Sequence, residues 1–207
     1  MSKKIICLEG LPRTGKSIFY ANSCSNIAKI PEYYCFLTKE EFPRTPTTLE
    51  EFIANQTLFL KMELRRAAMI GAAREESIVV DRCFLSNLAY AYALQECTGL
   101  PVFEVSLDLH KKQLANGGLI IPGSYIYFFD SIKEIKCRVE NSDSHYEKIW
   151  RQERFLSSMN EFYQAYFSKY AEAPVYRSGN LVLDDLFKNT AKDNGIQRLF
   201  AEVLHKK

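Results

Sequence analysis

Lys4-Ile-Ile-Cys-Leu-Glu-Gly10-Leu-Pro-Arg-Thr-Gly15-Lys16-Ser17-Ile-Phe-Tyr20 carries the pattern G-x-x-x-x-G-K-S from Gly10 to Ser17. An apolar run, Ile5 to Leu8, stops at Gly10, and the residues after Ser17 suit a helix. Strand, glycine-framed loop and helix in that order let several backbone N–H groups converge on a phosphate. Gly10 and Gly15 permit the backbone angles such a nest requires. Lys16 brings a charge for the β and γ oxygens of a nucleotide, and the Ser17 hydroxyl suits a partly hydrated magnesium ion. The expected ligand is ATP with Mg2+, contacted by Gly10, Arg13, Thr14, Gly15, Lys16, Ser17 and Ile18.

Working outward, 207 residues suit one domain with a full core. The net charge is +2 and the basic residues are scattered, which excludes a nucleic-acid polymer as the evident partner. No apolar run approaches the roughly 20 residues of a membrane span, and MSKK leads straight into the first strand. The chain therefore reads as cytoplasmic. Six cysteines include no C-x-x-C pair and three histidines show no ligand spacing, so neither a zinc site nor a redox pair is expected.

The periodicity predicts helices over 17–28, 48–73, 85–96, 102–114, 131–141 and 146–171, with one more at the C-terminus. Strands are predicted over 33–37, 77–80, 125–129 and 181–183, in addition to the first. Strands alternating with helices imply a three-layer α/β/α fold around a five-stranded parallel sheet, with ligands at the carboxyl ends of the strands. The polar clusters fall there: Gly10 to Ser17, Thr38 to Glu41, Asp81-Arg82 and Asp130.

Asp81, closing the apolar strand Ile78-Val-Val, is the second candidate magnesium ligand beside Ser17. Arg82 at the same strand end suits bidentate contact with a phosphate. Arg138, Arg151 and Arg154 flank a polar segment, residues 138–154, that reads as a lid whose arginines neutralise a transferring phosphoryl group.

Asp81-Arg-Cys-Phe-Leu-Ser86-Asn-Leu-Ala-Tyr90 resembles the D-R-Y-x-x-S-x-x-A-Y stretch of thymidylate kinases in all but its first tyrosine. Leu8-Glu9-Gly10 with Arg13 to Ser17 is similar to their E-G-x-D-R-x-G-K-S loop, and Thr38-Lys39-Glu40 to their T-R-E-P segment. Pro12, Cys83, Lys39 and Ala91 depart from that pattern, and Pro12 stands where those enzymes hold the sugar hydroxyl with an aspartate. Asn55-Gln56 resembles deoxynucleoside kinases, in which a helix glutamine reads the base and a glutamate ending the second strand is the general base; Glu40 is expected in that position.

The resemblance implies a P-loop phosphotransferase acting on a small molecule, with Lys16, Arg13, Asp81, Glu40 and Arg82 as catalytic candidates. Glu40, Arg44, Gln56, Arg66, Arg82, Ser86 and Tyr90 are the candidates for binding the acceptor, and Arg138 joins the nucleotide contacts. A nucleoside monophosphate is the first expectation for the acceptor, a deoxynucleoside or non-nucleotide small molecule the alternative. A weakly active nucleotide-binding regulator is the reading from another class. Relatives that pair through helices make a homodimer an expectation from resemblance.

Overall fold

In the computed structural model, residues 3–23, 26–38, 40–141, 148–177, 183–188, 190–191 and 193–204 are described. Strands β1 (Lys4–Gly10), β2 (Ala28–Ile30), β3 (Ser77–Asp81), β4 (Ser124–Phe128) and β5 (Val175–Arg177) form one parallel sheet in the order β2-β3-β1-β4-β5. Leu8 pairs in register with Asp81, and Gly10 with Phe128. That register brings the carboxyl ends of the three central strands to one edge of the molecule, beside one another.

The central strands β1, β3 and β4 are buried on both faces, as a parallel sheet under two helical layers must be. Cys7 and Tyr125 face a core shared with α3 (Phe84–Thr98), α4 (Val102–Ala115) and α6 (Glu153–Ala165). Ile6, Leu8, Val79, Ile126 and Phe128 face the other way, against Phe19 of α1 (Lys16–Asn22) and Leu186 and Phe187 of α7 (Leu183–Lys188). The alternation of Ile6, Cys7 and Leu8 between these cores is the two-residue period of a strand. The predicted three-layer fold and five-stranded parallel sheet are both present.

Helix α2 (Leu49–Ala72) begins where Thr48 accepts the amide of Glu51 at 3.2 Å, with Glu50 and Glu51 in its first turn. Its buried stripe is Phe52, Gln56, Leu60, Glu63, Arg66 and Ile70. Three of these six are polar or charged, which a helix serving only as a hydrophobic cover does not need. Helices α5 (Ile132–Glu140) and α8 (Gly195–Leu204) complete the layers.

Four boundaries differ from the sequence expectation. Helix α1 stops at Asn22, where the Ser23 hydroxyl bonds the Tyr20 carbonyl at 2.7 Å, and β2 is Ala28–Ile30. Pro31 has no N–H to extend that ladder, so the aromatic run predicted as the second strand becomes a 3-10 turn, Tyr33–Phe36. The predicted helix over 146–171 is divided: a 3-10 turn at Lys148–Arg151, an extended Gln152, α6, then a π-helical turn at Tyr166–Tyr170. The fifth strand of the sheet is Val175–Arg177; of the predicted 181–183, Leu181 and Val182 lie outside the described residues and Leu183 opens α7. No described helix is long and apolar enough to cross a membrane.

Candidate active site

The loop after β1 is shaped by contact with β4. Gly10 has φ 127°, and a Cβ there would stand 2.0 Å from the Phe128 carbonyl oxygen, so only glycine lets the two strands close. Arg13 (φ 59°) and Gly15 (φ 96°) are also left-handed, folding the loop around Lys16. The Lys16 ammonium is buried and donates to the carbonyls of Gly10 (3.1 Å) and Leu11 (2.6 Å) and to Thr14 Oγ1 (3.3 Å). Burial, then the neighbouring Arg82, pulls the amine down to about 7. Arg13, Ser17 and Ile18 stand exposed at the rim of this loop.

At the end of β3, Asp81 is almost wholly buried. Burial, then the Glu32 carboxylate, pushes its carboxyl up to about 6, against the pull of Arg82 and Lys16. Its Oδ1 is buried without a hydrogen-bond partner in the protein. A carboxylate oxygen left in that condition suits a cation supplied from outside, and with the Ser17 hydroxyl it is the donor pair that fits magnesium.

Arg82 adopts φ 63°, which costs a non-glycine residue roughly 1–2 kcal/mol unless its surroundings hold it. Its amide donates to the Leu8 carbonyl at 3.0 Å, and Nη1 donates to the Gly10 carbonyl (2.9 Å) and to Ser86 Oγ (3.0 Å). Its Nε lies 2.7 Å from Glu32 Oε1. Arg82 thus joins three strand ends through one guanidinium.

Glu32 is the acidic residue that the sequence reading passed over. With β2 ending at Ile30, the carboxylate just beyond the second strand is Glu32. Glu40 lies exposed in the following loop, where Arg44 is exposed too and lends only its carbonyl to Asn55 Nδ2 at 2.9 Å. The signal that finds Glu32 is Pro31, which must end a strand.

Beneath these groups Glu9 is fully buried and accepts from Cys83 N (2.8 Å), Ser86 Oγ (2.7 Å) and Tyr163 Oη (3.0 Å). Cys7 and Cys83 lie beside it, close enough for the three side chains to share a metal ion. Burial pushes both thiols up, Cys7 to about 12, and Glu9 is already saturated by donors, so the cluster is not a ligand set.

The remaining predicted residues divide. Ser86 joins the Arg82 and Glu9 network. Gln56 is buried on the inward stripe of α2 with Oε1 unpartnered in the protein. Tyr90, half-buried, packs its ring 5.7 Å from Trp150 and 5.5 Å from Phe155. Arg138 donates to the Arg13 carbonyl (3.2 Å) and pairs with Asp130 at 2.6 Å, tying α5 to the loop. Arg151 and Arg154 are exposed at the start of α6, and residues 142–147 of the expected lid lie outside the described residues. Arg66, expected to meet an acceptor phosphate, is instead fully buried behind the site, its guanidinium bonded to Glu63 and to two backbone carbonyls.

A central strand running into a glycine-framed loop, within a parallel sheet of order β2-β3-β1-β4-β5, defines the P-loop kinase fold. The fold is that of the thymidylate kinase and deoxynucleoside kinase group. The Candida albicans thymidylate kinase superposes with a TM-score of 0.59 at 13% identity, covering 100% of this chain and 94% of that one. The deoxyadenosine kinase from M. mycoides superposes with a TM-score of 0.57 at 15% identity in its dATP-bound structure, over 89% of this chain and 95% of that one. Its structure with the products dCMP and dCDP gives 0.56 at 16%, over 98% and 100%. No protein-family model and no curated protein matches the chain by sequence.

Proposed function

We propose that the chain is a kinase that transfers the γ-phosphoryl group of ATP to the hydroxyl of a nucleoside. The observation that carries this reading is the carboxylate of Glu32, set at the end of β2 and fixed by Arg82 at 2.7 Å. A neutral hydroxyl acceptor needs a base to take its proton as phosphorus approaches, and Glu32 is a carboxylate at that edge of the sheet. Magnesium ATP supplies the electrophilic phosphoryl group and the metal that neutralises its oxygens. The chain's own part is alignment and charge, which is most of what phosphoryl transfer asks of a protein.

Lys16, now bonded to the carbonyls of Gly10 and Leu11, would turn to phosphate oxygens, and Ser17 with Asp81 would hold the magnesium ion. Arg82 orients Glu32 and adds positive charge beside the loop, while Arg13, Arg138, Arg151 and Arg154 are the cations available to close over it. Gln56, buried with a free oxygen, is the group proposed to read the acceptor's polar edge. The structures superposed above belong to a thymidylate kinase and a deoxyadenosine kinase, which supports a nucleoside or nucleotide acceptor. The burial of Arg66 weighs against a monophosphate, because it removes one of the cations such an acceptor would need. The Asp81 to Tyr90 motif keeps the monophosphate as the second reading.

The test is ADP release from magnesium ATP with a panel of nucleosides and nucleoside monophosphates, wild type beside Lys16→Ala. Turnover driven by a nucleoside and abolished by Lys16→Ala is the expected result. Turnover with monophosphates alone moves the assignment to the second reading, and ATP binding without turnover leaves a binding protein.

A further inference from the structure

We infer that Arg66 and Glu63, an ion pair buried in α2, are positioning residues that hold the ends of β2 and β3 in the geometry the candidate active site needs. The inference deepens the kinase reading and rests on it for its kinetic part, while its structural part stands alone. Arg66 Nη1 meets Glu63 Oε2 at 2.8 Å, and both side chains are essentially inaccessible to solvent. Two buried charges of this kind are costly as packing, and replacing such a pair by apolar side chains is often neutral or stabilising. Their placement therefore asks for another explanation.

What Arg66 touches supplies it. Nη2 donates to the carbonyl of Asp81 at 2.8 Å and to the carbonyl of Arg82 at 2.6 Å. Those two carbonyls flank the left-handed φ of Arg82. The rest of the corner is also specified, since the Arg82 amide bonds Leu8 and the Cys83 amide bonds Glu9. Every backbone group from the Arg82 amide to the Cys83 amide thus has a partner, and Arg66 supplies the donors for the carbonyls. A strained residue persists only when its surroundings over-determine it, and without Arg66 two buried carbonyls lose their donor. The corner then relaxes, and the Arg82 guanidinium swings away from Gly10 and Glu32.

The same pair reaches β2. The Arg66 guanidinium lies over the Tyr33 ring, 4.5 Å from its centroid, and the Tyr33 hydroxyl donates to Glu63 Oε2 at 3.1 Å. Tyr33 follows Glu32 directly. Glu63 Oε1 faces the Ile120 amide at 3.4 Å, anchoring the pair on its far side. One buried fork and one carboxylate therefore fix Glu32 through its neighbour, and Asp81 and Arg82 through their backbone. Burial alone would push Arg66 towards neutrality, but Glu63 together with the neighbouring Tyr33, Cys7 and Cys83 outweighs it and the guanidinium stays charged.

The variant that separates position from charge is Arg66→Lys, which keeps the cation and loses the planar fork. Expected are a cooperative thermal transition, a kcat lowered by about 100-fold, since a displacement near 1 Å is enough for that, and a KM for ATP within about threefold of wild type. A crystal structure of the variant should show Arg82 with negative φ. Glu63→Gln is the second variant, read in the same ways. A folded variant with Arg82 still near its wild-type φ and an unchanged kcat overturns the inference, as does failure of both variants to fold, which makes the pair a general stability element. If wild type turns over none of the acceptors, the kinase reading fails, and the φ of Arg82 in the variant still decides the positioning role.

Discussion

Glu32 Oε1 and Arg82 Nε stand 2.7 Å apart across the ends of β2 and β3, neighbouring strands whose carboxyl termini sit beside the glycine-framed loop. A pair so placed can turn one carboxylate lone pair toward an acceptor while the arginine holds the other side. Glu32→Gln keeps the shape and removes the base, so kcat should fall by about 10²- to 10⁴-fold with the KM for ATP little changed. Glu40→Gln, made in an exposed loop, should be indistinguishable from wild type. Steady-state kinetics on both variants checks the pair of expectations, and equal losses would remove Glu32 from its role.

The two glycines of the loop should respond differently to the same methyl group. Gly10→Ala places a Cβ 2.0 Å from a backbone oxygen at an unfavourable φ, and should cost more than about 4 kcal/mol or prevent folding. Gly15→Ala meets nothing within 4 Å and suffers only from its φ of 96°, costing about 1–2 kcal/mol. Denaturant unfolding of the two variants measures the difference.

Tyr163 reaches from α6 to Glu9 Oε2 at 3.0 Å, and its hydroxyl is also 3.0 Å from Ser86 Oγ. Tyr163→Phe leaves the ring packed and the Glu9 carboxylate short of a donor in a buried place. The expected loss is about 1–3 kcal/mol of unfolding free energy. Tyr127→Phe, whose hydroxyl bonds the partly buried Asn160 side chain, should cost less in the same titration.

His110 is fully buried in α4, and burial pulls it down to about 4 even though the Ser106 carbonyl accepts from Nδ1 at 2.7 Å. Its folded value lies below the ordinary 6.5, so the unfolded chain binds the proton more readily. Stability from this group is complete above about pH 6.5 and is lost as pH falls toward 4, by about 3 kcal/mol in all. Urea titrations from pH 7 to 4 should show that slope, and His110→Leu should flatten it.

The phosphate loop, the alternation of strands and helices, and the Asp81 to Ser86 cluster were legible because local pattern carries each of them. An apolar core of three or four residues in each central strand, and a Gly-Lys-Ser after the first, need no tertiary information. β2 was not legible: three residues cannot display a period, and the aromatic run Tyr33–Phe36 offered a stronger strand signal than Ala28–Ile30. That displacement carried the proposed base from Glu32 to Glu40. Arg66 was unreadable for another reason, since a helix arginine that snorkels outward and one that turns inward to a buried glutamate have the same neighbours in sequence. Only the sheet behind α2 tells them apart.

The sheet has a further consequence at one rim. The outer strand β2 is three residues long, so the row of unpaired backbone groups along it is too short to template the addition of a foreign strand. That rim is guarded against edge-to-edge pairing by its shortness.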